Sequence, residues 1–94
     1  MATLWITELA TIATVDTPIA QLPPIAAQTV TFTTSTQSAA LNEATRYVRI
    51  ISDANCNISV GINPTATASN MRMTADIPEY FGVTPGHKIA VVAG

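Results

Sequence analysis

His87 is the one imidazole in the chain, so any hydrolytic triad would have to use it as the base. It follows a Pro85-Gly86 turn and opens an alternating segment. That setting reads as a strand-start residue with its polar tip in water, the sharper alternative being a pH-sensitive contact at an interface. No Gly-x-Ser-x-Gly element supplies a nucleophile for it. The carboxylates Glu8, Asp16, Glu43, Asp53, Asp76 and Glu79 are scattered, with no pattern of a calcium loop. Asp76 and Glu79 are the nearest pair, but three residues apart in a strand they point to opposite faces, which suits neither a glycosidase pair nor a metal site.

Cys56 is the lone cysteine. It sits on the Ile58 and Val60 side of an alternating strand, where cysteine behaves as a small hydrophobe, and no nearby base or basic cluster would activate it. With one Cys and one His, neither an internal disulfide nor a Cys/His zinc cluster can form. Asn57-Ile58-Ser59 fits the glycosylation pattern but falls inside a predicted strand, so it reads as a chance match. No phosphate-cradling Gly-rich loop is present. No catalytic, metal or cofactor site is expected, and the chain reads as no enzyme.

The residue types left over are those of protein interfaces. Trp5, Arg46 and Arg49 belong to the classes enriched among binding hot spots. Arg46 and Arg49 are three apart in a strand, so they face opposite sides of the sheet. One of them is either paired at the margin of the core or reaching a carboxylate or carbonyl of a partner. Trp5 either meets a partner or caps the core. Sugar-binding surfaces need aromatic platforms, for which only Trp5, Phe32, Tyr47, Tyr80 and Phe81 are available, with Phe32 needed inside.

The elements that must position these residues are strands, because the abundant Thr, Val and Ile suit a pleated surface and fit helices poorly. Residues 3–9 set Leu4 and Ile6 against Trp5 and Thr7, and residues 28–33 set Val30 and Phe32 against Thr29, Thr31 and Thr33. Residues 45–52 carry Val48 and Ile50 inward, and residues 56–62 alternate Cys56, Ile58, Val60 and Ile62 against Asn57, Ser59 and Gly61. Asp53-Ala54-Asn55 between those two segments predicts a turn, and hence a central antiparallel hairpin. Thr84-Pro85-Gly86 predicts a type II turn joining residues 76–83 to 87–92 as a second hairpin. Pro78 there points to an edge or a bulge.

Residues 16–27, with Pro18, Pro23 and Pro24, read as an extended arm able to lie across a neighbour. Residues 35–44 read as a helical turn or a loop, and residues 63–70 as a polar loop. The 94 residues thus make one domain, an all-β antiparallel sandwich or small barrel of jelly-roll or immunoglobulin-like type with a Pro-rich arm.

Composition narrows the partners. The chain is 48% hydrophobic and only 11% charged, against about 25% charged in typical soluble domains. A surface of Thr, Ser, Ala and Asn is easily desolvated in an interface. So small a core leaves a thin stability margin, and with disulfide and metal excluded, oligomerisation or docking onto an assembly is the remaining constraint. Net charge is −2, with four cations, too few and scattered to bind nucleic acid. No apolar run reaches membrane-spanning length, the Met1-Ala2-Thr3-Leu4-Trp5 start lacks the form of a signal peptide, and a lone cysteine fits synthesis in a reducing cytoplasm.

The succession Gln28-Thr29-Val30-Thr31-Phe32, Thr45-Arg46-Tyr47-Val48-Arg49-Ile50, Gly61-Ile62-Asn63-Pro64-Thr65-Ala66-Thr67, Glu79-Tyr80-Phe81-Gly82-Val83 and Pro85-Gly86-His87-Lys88-Ile89-Ala90 resembles small virion proteins of tailed bacteriophages. The resemblance covers about residues 28–92 and rests on structural patterns. Within that group it is nearest to capsid decoration, or cement, proteins. It implies a homotrimer on the outer capsid surface, made in the host cytoplasm and bound where major capsid protein subunits meet. The alternatives are a neck, tail or fibre component and a receptor- or glycan-binding module. Trp5, Pro18, Pro23, Pro24, Arg46 and Arg49 are the expected contact residues.

Overall fold

A computed structural model describes residues 2–10, 12–13, 19–20 and 22–94, and among them there is no helix. The alternation of apolar and polar residues resolves, among the described residues, into ten strands: β1 (Ala2–Leu9), β2 (Ile12–Ala13), β3 (Ile19–Ala20), β4 (Ala26–Phe32), β5 (Thr36–Gln37), β6 (Tyr47–Ser52), β7 (Cys56–Gly61), β8 (Met71–Met73), β9 (Glu79–Gly82) and β10 (Lys88–Ala93). They form two antiparallel four-stranded sheets, β4-β1-β6-β9 and β5-β10-β7-β8, with β2-β3 as a separate two-stranded ribbon. The domain is therefore a β-sandwich.

Period-two alternation supplies the core. Leu4, Ile6, Val30, Phe32, Val48 and Ile50 line the inner face of the first sheet, and Cys56, Ile58, Met73, Ile89 and Val91 line that of the second. Leu41 joins them from the loop after β5, and Phe81 and Val83 are packed against the cluster. Facing inner surfaces of two sheets exclude water between them, the main favourable contribution to a fold of this size.

Both expected hairpins need correction. β6 pairs with β1 and β9, whereas β7 pairs with β10 and β8, so Asp53-Ala54-Asn55 carries the chain from one sheet to the other. Likewise β9 lies in the first sheet and β10 in the second. The Thr84-Pro85-Gly86 turn itself has the expected form, with the His87 amide donating to the Thr84 carbonyl at 3.2 Å and Gly86 at φ 83°. A left-handed φ at the third residue is what a type II turn requires and what glycine adopts without strain. Turn chemistry reverses the chain but does not say whether the next strand lies beside the last or across the core from it. In a sandwich both arrangements present the same inward alternation.

Other boundaries shift. Residues 35–44 contain no helical turn; they hold β5 and a turn closed by the Thr45 amide on the Asn42 carbonyl at 3.0 Å. The 56–62 alternation holds for Cys56 and Ile58, but Val60 and Ile62 emerge into solvent and Asn57 is buried. β8 follows the polar loop in a segment whose sequence gave no strand signal. Of the Pro-rich stretch, Ala26 and Ala27 belong to β4, Ile19–Ala20 pairs with Ile12–Ala13, and Pro23 and Pro24 are exposed. Pro18 lies outside the described residues. Among the described residues no helix is long and apolar enough to cross a membrane.

Candidate protein-binding face

Because β1, β4, β6 and β9 turn Leu4, Ile6, Val30, Phe32, Val48, Ile50 and Phe81 inward, the intervening residues share the opposite, outer face. Register sets their order. Trp5 stands between Thr29 of β4 and Ile51 of β6, and the next row runs Ala27, Thr7, Arg49, Tyr80. Tyr47 shares the face one step further along β6, opposite Leu9, whose burial shows that this end of the face is covered. The one tryptophan and both tyrosines of the chain are thus gathered on one side of one sheet, around a single cation. Trp5 is 43% exposed and Tyr80 55%. Beside the sheet, Ile77 is exposed just before β9.

Arg49 is half-buried and has no carboxylate across from it, since its neighbours in the ladder are Thr7 and Tyr80. Its ladder neighbours are uncharged, and its guanidinium carries the planar set of donors that suits a carboxylate or carbonyl acceptor. Arg46 is different. It precedes β6, is exposed, and donates from Nη1 to the carbonyls of Glu43 at 3.2 Å and Thr45 at 3.4 Å. Alternation assigns it the inner side, at the end of the row that holds Val48 and Ile50.

The outer face of the second sheet is closed by the chain itself. Gln37 and Asn57 point outward there, and the loop formed by residues 62–70 binds both. Gln37 Nε2 donates to Asn63 Oδ1 and the Pro64 carbonyl, each at 2.8 Å, and Asn57 Nδ2 donates to the Asn70 carbonyl at 2.9 Å. The Ala66 amide adds a bond to Ser35 Oγ at 3.0 Å. Beneath this loop Ala90 is fully buried. The polar loop is therefore an ordered cover, and the two outer faces of the sandwich are not equivalent.

One carboxylate has a structural task that its spacing concealed. Glu8 is 3% exposed, and its Oε1 accepts hydrogen bonds from the Asn42 amide at 2.7 Å and Thr45 Oγ1 at 2.8 Å. Its Oε2 accepts from Gln28 Nε2 at 3.2 Å. Gln28 in turn accepts from the Ala39 amide at 3.0 Å. This network ties β1 and β4 to the loop that closes the rim of the sandwich.

The remaining reactive types do not converge. Among the described residues no three His, Cys, Asp or Glu side chains lie close enough to hold a metal ion. Asn57 is buried, which removes its amide from reach of a glycosyl donor. Cys56 is fully buried; burial pushes its thiol above the ordinary 9.0, opposed by a hydrogen bond with Ser52. Iodoacetamide at pH 8 should therefore leave the native protein unmodified and label it only in denaturant; rapid native labelling would contradict this placement. Because the native thiol keeps its proton where the unfolded one loses it, stability should also fall as pH rises above the ordinary thiol value.

No family model, curated protein or solved structure matches the chain. The site rests on its own geometry. Of the residues expected at an interface, Trp5 and Arg49 share the aromatic face, Arg46 lies off it, and Pro23 and Pro24 are exposed at the arm. Tyr80, Ile51 and Tyr47 were not among them. Only the β1-β6-β9 pairing brings them beside Trp5, and no spacing within one segment signals it.

Proposed function

We propose that this chain is a non-enzymatic virion structural protein that decorates and stabilises a tailed-phage capsid. It docks the Trp5, Arg49 and Tyr80 face across junctions between major capsid protein subunits. The observation that carries this reading is the asymmetry of the two outer faces. One is covered by the protein's own loop, and the other gathers residue types typical of binding hot spots with one charge among them. Contacts available only in the assembled shell stabilise it by mass action, and the Pro-rich arm would extend that contact over a neighbouring subunit.

Quantitative mass spectrometry of gradient-purified virions from the source phage tests the proposal. Copies comparable to the major shell protein support a cement role, a handful per particle relocate the protein to neck, tail or fibre, and absence overturns the virion reading. The same exposed aromatics favour one other function, a glycan- or receptor-binding platform. Saturable binding to a glycan array, abolished by Trp5→Ala, would select it.

A further inference from the structure

We infer that two copies of this chain join through β4, edge to edge and antiparallel, so that their first sheets become one eight-stranded sheet. β4 ends the order β4-β1-β6-β9 and, among the described residues, has a strand neighbour on one side only. Which of its main-chain groups face outward follows from the other side of β1. The Asp53 amide donates to the Thr3 carbonyl at 3.2 Å, continuing the β1-β6 ladder, so the odd-numbered residues of β1 bond toward β6 and the even-numbered ones toward β4. Through the β1-β4 register, Ala26, Gln28, Val30 and Phe32 bond to β1. The N–H and C=O groups of Ala27, Thr29 and Thr31 point away from the sheet, a row of donors and acceptors that templates another extended strand.

The other three edges are guarded. β9 has four residues, follows Pro78 and contains Glu79; β8 has three, with Arg72 in the middle; β5 has two. β4 has seven, with neither charge nor proline. Short length, charge and proline are how edges are kept from pairing, and β4 has none of them.

The strand also fits itself. An antiparallel partner centred on Thr29 sets Thr29 against Thr29 and Ala27 against Thr31. Each of the three outward pairs then exchanges two bonds, about six in all. Gln28 meets Val30, and small Ala26 meets large Phe32, so inner rows continue into inner rows and outer into outer. The outer row becomes Ile51, Trp5, Thr29, Thr29, Trp5, Ile51. Two aromatic faces then lie on the same side of one sheet, continuous with the candidate docking surface. A two-fold interface of this kind closes on two copies and does not build the three-fold ring that the decoration-protein resemblance implies.

Sedimentation equilibrium of the wild type, Thr29→Pro and Thr31→Lys tests the interface. The Thr29 amide points outward, so proline there takes no bond from β1. The wild type should show twice the 9.9 kDa chain mass, and both variants the single mass with unchanged circular dichroism. Should Thr29→Pro misfold, Thr31→Lys alone decides. A wild type that stays monomeric at its highest soluble concentration, a trimeric mass, or a dimer that survives Thr31→Lys would overturn the inference.

Discussion

Replacing Glu8 with alanine should lower the stability of the domain by about 3–5 kcal/mol, the size expected for the loss, less than additive, of three hydrogen bonds to one carboxylate. Deleting the carboxylate leaves the Asn42 amide and the Thr45 hydroxyl without their acceptor and the Gln28 amide with only the Ala39 carbonyl, at 3.4 Å. Hydrogen bonds to a charged group each contribute about 1.5–3 kcal/mol, and a buried donor left unpaired costs its full desolvation. Sharing one acceptor makes the three losses less than additive. Against a total of about 5–15 kcal/mol for a small domain, this is a large fraction, and the thermal midpoint should drop by about 12 °C or more. Glu8→Gln keeps an acceptor at one position but sets its NH₂ against the Gln28 amide, so it should cost about 1–2 kcal/mol. Thermal melts followed by circular dichroism distinguish the cases. An unchanged midpoint in Glu8→Ala would mean that the network contributes nothing net.

The same residue shows what alternation can and cannot convey. Leu4, Ile6 and Glu8 fall on one parity, so the row that marks the first two as core also marks Glu8 as inward-facing. What the row lacks is the acceptor's partners, which arrive from residues 42 and 45 through a loop without periodic pattern. Val30 and Phe32, and Val48 and Ile50, were legible for the same reason as Leu4 and Ile6, since burial on one face imposes period two whatever the neighbouring strand. The partners of β6 and β7 were not legible, because Asp53-Ala54-Asn55 reverses the chain equally well within a sheet or between sheets. β8 was missed because Met71-Arg72-Met73 is short, and its β7 neighbours Ile58, Asn57 and Cys56 supply its ladder. Trp5 and Arg49 could be singled out by type. Their meeting on one face depends on the register between β1 and β6, which no local pattern contains.

That meeting has its own test. Trp5→Ala should weaken binding to shells lacking the protein by about 30-fold or more, the loss typical of a hot-spot residue at about 2 kcal/mol. Because Trp5 is 43% exposed, its removal should change folding stability by no more than about 1 kcal/mol, so binding and folding separate cleanly. Arg49→Lys should lose nearly as much affinity as Arg49→Ala if the guanidinium grips a planar acceptor, since an ammonium keeps the charge but not the fork. Thr67→Ala, in the loop over the opposite face, should leave docking unchanged. Trp5 is the only tryptophan, so its emission reports the face directly. Docking that buries the indole should shift it to the blue, and the shift should saturate at the stoichiometry of binding. Full affinity in Trp5→Ala, with unshifted emission in the wild type on the shell, would mean that the protein docks through another surface. The arm would then be the next segment to examine, because Pro23 and Pro24 are exposed there.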